Sequence, residues 1–170
     1  MKAPEAPEQT AEERRAVEAE VRALLERLVP DHLATIAALR ERLRQRLPTA
    51  HELVYGYKGW VVISYAPGDH GHEGAVALRL SPTELKLYLS TSGQLPDPKK
   101  LLRGSGKQTR WLPLESEATL DRLEVQALMD AVLAQHKPTF ATAGHGPTVI
   151  RSKPGQGGPA RRLNPARPSP

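Results

Sequence analysis

Residues 75–90 read AVALRLSPTELKLYLS. On each side of a Ser-Pro-Thr segment, every second residue is a large aliphatic one: Val76, Leu78 and Leu80, then Leu85, Leu87 and Leu89. Alternation with a period of two is typical of strands that bury one face. A short turn rich in Ser, Pro and Thr commonly joins two antiparallel strands. The stretch therefore predicts a β-hairpin, with strands at residues 74–80 and 84–90.

Strand composition extends to both sides of this hairpin. Residues 51–55, 60–65 and 109–114 are rich in β-branched or aromatic residues, as strands usually are. The polar segment PGDHGH, residues 67–72, has the composition of a loop and links the second of these strands to the hairpin. Together the segments predict a largely antiparallel sheet of four or five strands.

The apolar period becomes helical in the segments that flank the strands. Thr10 and Glu13 have the spacing of a capping box, and apolar side chains then recur on one helical face. A second helix is predicted from an N-cap at Asp31 to a stop at Pro48, and a third helix closes near His136. A short helical turn is predicted over residues 95–103. The fold class is therefore α+β, with the helices packed on one face of the sheet.

The composition excludes several classes of protein. The 170 residues are 39% hydrophobic and 4% aromatic, and they include no cysteine. Without cysteine there is no disulfide scaffold, thiolate zinc site, Cys-ligated iron–sulfur cluster or cysteine nucleophile. No apolar run approaches the ~20 residues of a membrane helix, and no apolar signal-peptide core follows Met1. We therefore expect a cytoplasmic protein that makes no membrane contact.

The net charge of +5 is concentrated at one end of the chain. Residues 137–170 hold six basic residues, no Asp or Glu, and seven of the 16 prolines. The first 136 residues hold the other 18 basic and all 19 acidic residues, a net charge of −1. A segment rich in Pro, Gly and cations cannot bury enough apolar surface to offset its ordering entropy. We predict a flexible leader over residues 1–9, a folded domain over 10–136 and a disordered basic tail over 137–170.

Three stretches carry a resemblance to a known family, over roughly residues 24–135. They are Arg46-Leu47-Pro48 leading into Glu52-Leu53-Val54-Tyr55-Gly56, the strand pair from Trp60 to Leu89, and Leu101-Leu102 followed by Gly106-Lys107 and Thr109-Arg110-Trp111-Leu112. These motifs resemble the bacterial family typified by YdhG, a domain family of largely unknown function with a frataxin-like fold. The chain departs from the family pattern at Tyr57-Lys58-Gly59-Trp60, where Met-Pro and an aromatic residue are common. The resemblance implies a frataxin-like fold and, from one member described as iron-handling, an iron chaperone.

Aromatic residues mark the first candidate site. Tyr55, Tyr57 and Trp60 gather three of the seven aromatic residues of the chain within six positions. A turn there leaves their rings lining a pocket or an interface, although an aromatic-poor protein also uses such rings in its core. Both interpretations stay open. Trp111, from the last predicted strand, and Lys107, from a Gly-Ser-Gly-Lys turn able to offer one anion contact, complete the predicted ligand-binding set.

A polar loop supplies the candidate metal site. Asp69, His70, His72 and Glu73 lie within five residues of one another, and carboxylate with imidazole is a suitable ligand set for iron or another divalent metal. Hairpin loops also contain these residue types without binding metal, and no spacing here matches a rigid ligand pair. Iron held at this loop would have only oxygen and imidazole ligands, since the chain has no cysteine.

Catalytic motifs are not recognisable in the sequence. There is no Gly-x-Ser-x-Gly elbow and no Ser–His–acid order, and the GSGK segment at 104–107 fails the phosphate-loop pattern because Gln108 follows the lysine. We therefore predict a non-enzymatic protein that binds iron or a small ligand and delivers it to a protein partner. The alternative is an interaction module that binds nucleic acid weakly through the cations of its tail.

The arginines at 40, 42, 44 and 46 are not expected to add a second basic surface. Helical residues are rotated by about 100° from one to the next, so Arg40 and Arg44 are expected near one edge of the apolar stripe and Arg42 and Arg46 on the other side.

Overall fold

The computed structural model of the chain describes residues 5–91 and 95–151. Three α-helices lie at Ala11–Leu28 (α1), Leu33–Arg46 (α2) and Leu123–Gln135 (α3). Six strands lie at His51–Gly56 (β1), Val61–Ala66 (β2), Val76–Leu80 (β3), Leu85–Ser90 (β4), Thr109–Pro113 (β5) and Thr148–Ile150 (β6). Short 3₁₀ turns occupy Pro30–His32, Gly71–Glu73 and Glu117–Asp121. The α+β class predicted from the sequence is confirmed.

The six strands form one mixed sheet in the order β5-β4-β3-β2-β1-β6. The predicted hairpin is β3–β4, with Leu78 opposite Leu87. The pairs β1–β2, β2–β3 and β4–β5 are also antiparallel, and β6 joins the outer edge of β1 in parallel. The sheet has one strand more than the four or five predicted, because β6 comes from the segment that the sequence analysis assigned to a disordered tail.

The apolar faces of the helices all meet one side of the sheet. Their buried residues share a single core with alternate strand residues: Val21, Leu25, Ile36, Leu39, Leu43, Val125, Leu128, Met129 and Val132 from the helices, and Val54, Ile63, Tyr65, Val76, Leu78, Leu80, Leu87, Leu89 and Leu112 from the strands. The opposite side of the sheet has its own apolar cluster, which contains no helix residue within the described part of the chain. The helices therefore leave one face of the sheet to other contacts.

The predicted helix boundaries are correct at α1 and differ at α2. Thr10 caps α1 through a complete capping box, in which the Glu13 amide donates to Thr10 Oγ1 at 3.1 Å and the Thr10 amide donates to Glu13 Oε2 at 2.9 Å. Asp31 is not the N-cap of α2, because Pro30 starts a 3₁₀ turn and α2 begins only at Leu33.

The segment at 95–103 is not a helix. The Asp97 carboxylate accepts hydrogen bonds from the amides of Leu101 and Leu102, both at 2.9 Å, which closes a turn instead. Arg103 then runs alongside β5 and exchanges backbone hydrogen bonds with Trp111 at 2.7 and 3.1 Å. In the described residues, no helix is both long and apolar enough to cross a membrane.

The prediction of a disordered tail from Lys137 is wrong for residues 137–151. The Glu52 amide donates to the Pro147 carbonyl at 2.9 Å, and the Gly146 amide donates to the Pro48 carbonyl at 2.9 Å. A Cβ on Gly146 would lie 1.8 Å from the Ala50 carbonyl oxygen, so only glycine fits this crossing. Backbone pairing with β1 orders a segment that is poor in large apolar anchors. Residues 152–170 lie outside the described residues.

The predicted flexible leader also contributes to the fold from residue 5 onward. Ala6 is buried, and its amide donates to the Ala143 carbonyl at 3.0 Å. The Gln9 side chain donates to the Thr148 carbonyl at 2.8 Å and accepts from the Thr148 amide at 3.0 Å. This pair of hydrogen bonds takes the place of a strand partner on the open side of β6. Residues 1–4 lie outside the described residues.

A buried ion pair joins the helices to the sheet. Glu52 is 2% exposed and receives two hydrogen bonds from the Arg40 guanidinium, at 3.0 and 2.7 Å. The hydroxyls of Tyr65 and Thr148 donate to the same carboxylate at 2.7 and 2.8 Å. Burial alone raises the pKa of Glu52, but the bonds and charge of Arg40 outweigh it and lower that pKa below its usual value. Glu52 is therefore an ionised carboxylate inside the core.

The arginines of α2 diverge as predicted and do not form one basic surface. Arg40 extends beyond Glu52 to the Glu18 carboxylate on α1, at 3.0 and 2.7 Å. Arg42 reaches Asp121, with its closest hydrogen bond at 2.9 Å, and Arg46 pairs with Asp130. Arg44 shares the Glu18 carboxylate with Arg40, at 3.4 Å, so the row of arginines ties α2 to α1, to β1, to the 3₁₀ turn at Glu117–Asp121 and to α3.

Candidate ligand-binding face of the sheet

Five of the seven aromatic residues of the chain lie on the side of the sheet that faces away from the helices. They are Tyr55, Tyr57, Trp60, Tyr88 and Trp111. We call this side the aromatic face. Side chains alternate along each strand. The aromatic face therefore receives the odd-numbered residues of β1 and β5 and the even-numbered residues of β2 and β4. An aromatic-poor chain thus places most of its rings on a face that no helix of the described residues covers.

Trp60 is the centre of one stack on the aromatic face. The Tyr57 and Trp60 rings lie 5.3 Å apart between centroids, at an interplanar angle of 21°. Their spacing is set by the β1–β2 turn, in which the Tyr57 amide donates to the Trp60 carbonyl at 2.8 Å and Gly59 has φ +93°. The guanidinium carbon of Arg79 lies 5.2 Å from the Trp60 ring centroid. This distance is within the range of a cation–π contact.

The indole nitrogen of Trp60 has no acceptor in the described part of the chain, although the atom is buried. A buried donor without a partner costs about 1–3 kcal/mol. Such groups call for an explanation, and a bound molecule that supplies the acceptor is one of them.

Trp111 is the centre of a second stack. The ammonium of Lys86 lies 4.1 Å from the Trp111 ring centroid, and the guanidinium of Arg103 lies 5.7 Å from it. Tyr88, directly across from Trp111 in the β4–β5 register, has its ring centroid at 6.4 Å. Gly104, with φ +95°, lets the backbone pass close to the indole, since a Cβ there would lie 3.3 Å from the ring.

Cations occupy the strand positions between the two stacks. Arg79 on β3 and Lys86 on β4 are paired across the strands. No Asp or Glu occupies a strand position on the aromatic face in the described residues. Lys86 has one ion pair, with Glu84 at 2.9 Å, beside the end of the strand, whereas Arg79 has no carboxylate partner within the described residues. The aromatic face is therefore positive at its centre.

The structure divides the ligand-binding residues predicted from the sequence. Tyr57, Trp60 and Trp111 lie half-buried on the aromatic face. Tyr55 is on the same face but completely buried, under the loop that contains Gly71. A Cβ on Gly71 would lie 2.2 Å from the Tyr55 hydroxyl oxygen. Burial raises the pKa of this hydroxyl. Tyr55 is therefore a core residue at the end of the site and makes no surface for a ligand.

Lys107 belongs to a different part of the molecule. It is exposed, and its carbonyl accepts a hydrogen bond from the Thr91 hydroxyl at 3.0 Å. The residue lines a polar cleft of about 530 Å³, together with His72, Glu73, Ser90, Thr91, Gln108, Thr109, His136, Lys137 and Pro138. Lys107 therefore lies in this cleft and not beside the tryptophans of the aromatic face.

The four predicted metal ligands separate into two pairs. His70 lies 3.7 Å from the Asp69 carboxylate, and His72 lies 3.9 Å from the Glu73 carboxylate. Asp69 also pairs with Arg151 at 3.3 Å, and the hydrogen bond from that guanidinium lowers the pKa of Asp69. In residues 5–91 and 95–151 there is no group of three or more His, Asp or Glu side chains able to hold a metal ion. The geometry of the loop does not support the predicted iron site.

The cations of the aromatic face were not predicted from the sequence. In the sequence, Arg79 and Lys86 occupy the polar positions of two alternating strands. Such positions commonly hold charged residues because they face solvent, so the two residues gave no specific signal. Only the strand register shows that the two are neighbours, and that each lies over a tryptophan distant from it in the sequence. Arg103 gave no sequence signal, because its approach to Trp111 depends on the turn at 97–102.

Comparisons of the chain with protein-family models, with curated proteins and with solved structures found no match. The resemblance to the YdhG-like family therefore stays a prediction from short motifs.

Proposed function

We propose that the protein is a non-enzymatic binding protein, and that its ligand is an anion with a planar ring, held on the aromatic face of the sheet. One observation carries this proposal. Both tryptophans of the chain lie on the face without helices, and each has a cation over its ring. Rings favour stacking with another planar group, and the adjacent cations favour a negative charge on the same ligand.

Binding is favoured over catalysis by the chemistry of the residues concerned. Tryptophan is only a hydrogen-bond donor, and an arginine guanidinium stays protonated in proteins. Such groups hold and orient a ligand but neither attack it nor take a proton from it. In this proposed role the protein still delivers its small ligand to a partner. The proposal replaces iron by a ring-bearing anion, since no described group of side chains has the composition of a metal site.

Intrinsic fluorescence tests the proposal directly, because both tryptophans of the chain lie at the site. Purified protein is titrated with uridine and adenosine monophosphates and with short oligonucleotides, all of which combine planar rings with phosphate. We expect saturable quenching that is weakened at least tenfold in Arg79→Gln. The matched control is Arg110→Gln, which removes the same charge from an exposed residue next to Trp111 on the opposite side of β5. If no ring-bearing anion quenches the fluorescence, the proposal is rejected.

A further inference from the structure

Four side chains lie on one diagonal across the aromatic face. Trp60 precedes β2, Arg79 lies on β3, Lys86 on β4 and Trp111 on β5. Arg79 lies opposite Lys86 in the β3–β4 pair. Trp60 lies two residues before the residue opposite Arg79, and Trp111 lies two residues before the residue opposite Lys86. Because β2 and β5 run in opposite directions, the two tryptophans are displaced toward opposite ends of the strands. Trp60 and Trp111 are separated by three strand spacings across the sheet and four residue spacings along it, which gives a distance of roughly 20 Å between them. The order along the diagonal is ring, cation, cation, ring.

We infer that this diagonal binds a single strand of nucleic acid, with bases stacked at the two tryptophan ends and backbone phosphates on Arg79 and Lys86. The inference rests on the proposed function and names its ligand class. A single-stranded nucleic acid carries planar bases and negative phosphates along its length, so one strand can place bases at the two ends of the diagonal and phosphates on the two cations between them. Sheet faces with exposed aromatic residues bind single strands in this way, through stacking and cationic contacts that tolerate many sequences.

Each end of the diagonal has a defined stacking surface. At one end, the Trp60 ring stacks with Tyr57 and lies 5.2 Å from the Arg79 guanidinium carbon, and a base stacks on the guanidinium plane. At the other end, Lys86 lies over Trp111 and is paired with Glu84. A phosphate draws the Lys86 ammonium off the ring, and the ring face released in this way takes a base.

Single strands fit this site better than duplexes or acidic proteins. The bases of a duplex are stacked on each other and paired, so their faces cannot reach the tryptophan rings. An acidic protein segment supplies the negative charge but no regular series of planar rings. With two cations on the diagonal, the binding constant for a single strand falls with salt at a logarithmic slope of about −1.4, since each phosphate contact contributes about −0.7.

Fluorescence anisotropy of labelled eight-nucleotide oligo-U and oligo-dT tests the inference on the full chain. The competitors are uridine monophosphate, a 12-base-pair duplex and poly-glutamate. We expect both oligonucleotides to bind, the duplex to compete at least tenfold more weakly, and the double variant Arg79→Gln/Lys86→Gln to lose most of the salt dependence. The control Arg110→Gln keeps both the affinity and the slope. Trp60→Leu and Trp111→Leu variants, checked for folding by circular dichroism, each leave one tryptophan, and we expect the oligonucleotide to quench each of them.

The outcomes separate this inference from the proposed function. If uridine monophosphate binds as tightly as the eight-nucleotide strand, the function stands and the single-strand inference is overturned. Equal binding of duplex or poly-glutamate overturns it as well, since the site would then recognise charge alone. Quenching of only one tryptophan overturns the two-ended arrangement. Loss of binding in Arg110→Gln to the same extent as in Arg79→Gln would place the ligand elsewhere.

Discussion

Replacing Arg40 by methionine tests the buried ion pair most severely. The variant keeps an unbranched side chain of similar length but removes both hydrogen bonds to Glu52 and both to Glu18. Glu52, at 2% exposure, then keeps only the hydroxyls of Tyr65 and Thr148 as partners. Its carboxylate becomes a buried charge without a hydrogen-bonded counter-ion, and only the charge of Arg44 acts on it from nearby.

The expected cost is about 3–5 kcal/mol of unfolding free energy, which is typical when one partner of a buried pair is removed. For a protein of this size it corresponds to a fall of roughly 10 °C in Tm. Two control variants set the scale. Arg22→Met removes an exposed pair with Glu26 at 2.8 Å and is expected to cost less than about 0.5 kcal/mol. Arg40→Met/Glu52→Gln removes the buried charge as well and is expected to recover at least half of the loss.

The loss should also depend on pH. In the parent protein the pKa of Glu52 is lowered, so its stabilising contribution is complete above the unfolded value of about 4.3 and is lost as the pH falls through the folded value. Without Arg40, burial raises that pKa, opposed only by the charge of Arg44 and the hydrogen bond from Tyr65. The variant then keeps a protonated Glu52 at mildly acidic pH and is penalised as the pH rises and the group ionises.

Urea denaturation followed by far-UV circular dichroism at pH 4.5 and pH 7.5 measures both effects. We expect a larger difference between parent and Arg40→Met at pH 7.5 than at pH 4.5, and no such change for the double variant. A loss below about 1 kcal/mol at pH 7.5, or a loss of equal size at the two pH values, would refute the account of Glu52 as an ionised core residue.

Three further variants test the backbone of the fold by thermal denaturation. Gly146→Ala is expected to lower the free energy of unfolding by more than about 3 kcal/mol, since its Cβ would lie 1.8 Å from the Ala50 carbonyl oxygen. The control Gly68→Ala, whose Cβ would have nothing within 4 Å, should change it by less than about 0.5 kcal/mol. Equal Tm values for the two variants would contradict the packing of residues 141–151. Gly59→Ala has space for its Cβ but a φ of +93°, so a loss of about 1 kcal/mol from conformation alone is expected, and no loss would contradict the turn geometry. Thr10→Ala should cost about 1 kcal/mol through the capping box of α1, and an unchanged Tm would show that the cap contributes nothing.

Local patterns in the sequence predicted the helices, the hairpin and the α+β class. The alternation in residues 75–90 and the capping box at Thr10 are complete within a few residues, so nothing distant is needed to recognise them. The strand β6 was missed because it is three residues long and is held by pairing with β1 and by the Gln9 side chain. The many prolines and glycines around β6 predicted disorder, because composition contains no information about these distant hydrogen-bond partners.

The candidate site was predicted only in part, for the same reason. Aromatic spacing identified Tyr57 and Trp60, and Trp111 was recognised in the last strand. The cations over their rings come from other strands, and the burial of Tyr55 depends on a loop that folds back over it. Both the cation contacts and the burial of Tyr55 depend on how the strands and loops are arranged in space, which local sequence patterns do not predict. The four residues of the metal prediction are close along the chain, but in the described residues they form no group of three or more ligands in space.

The bond between Thr148 and Glu52 spans 96 residues and has a consequence for synthesis on the ribosome. The carboxylate and its arginine are made early, but β6 reaches them only after almost all of the described chain has been translated. Until then the outer edge of β1 has no strand partner, and the nascent protein presents an open edge able to pair with another chain. Slow translation before residue 148 should therefore favour aggregation, whereas rapid completion of the chain should protect it.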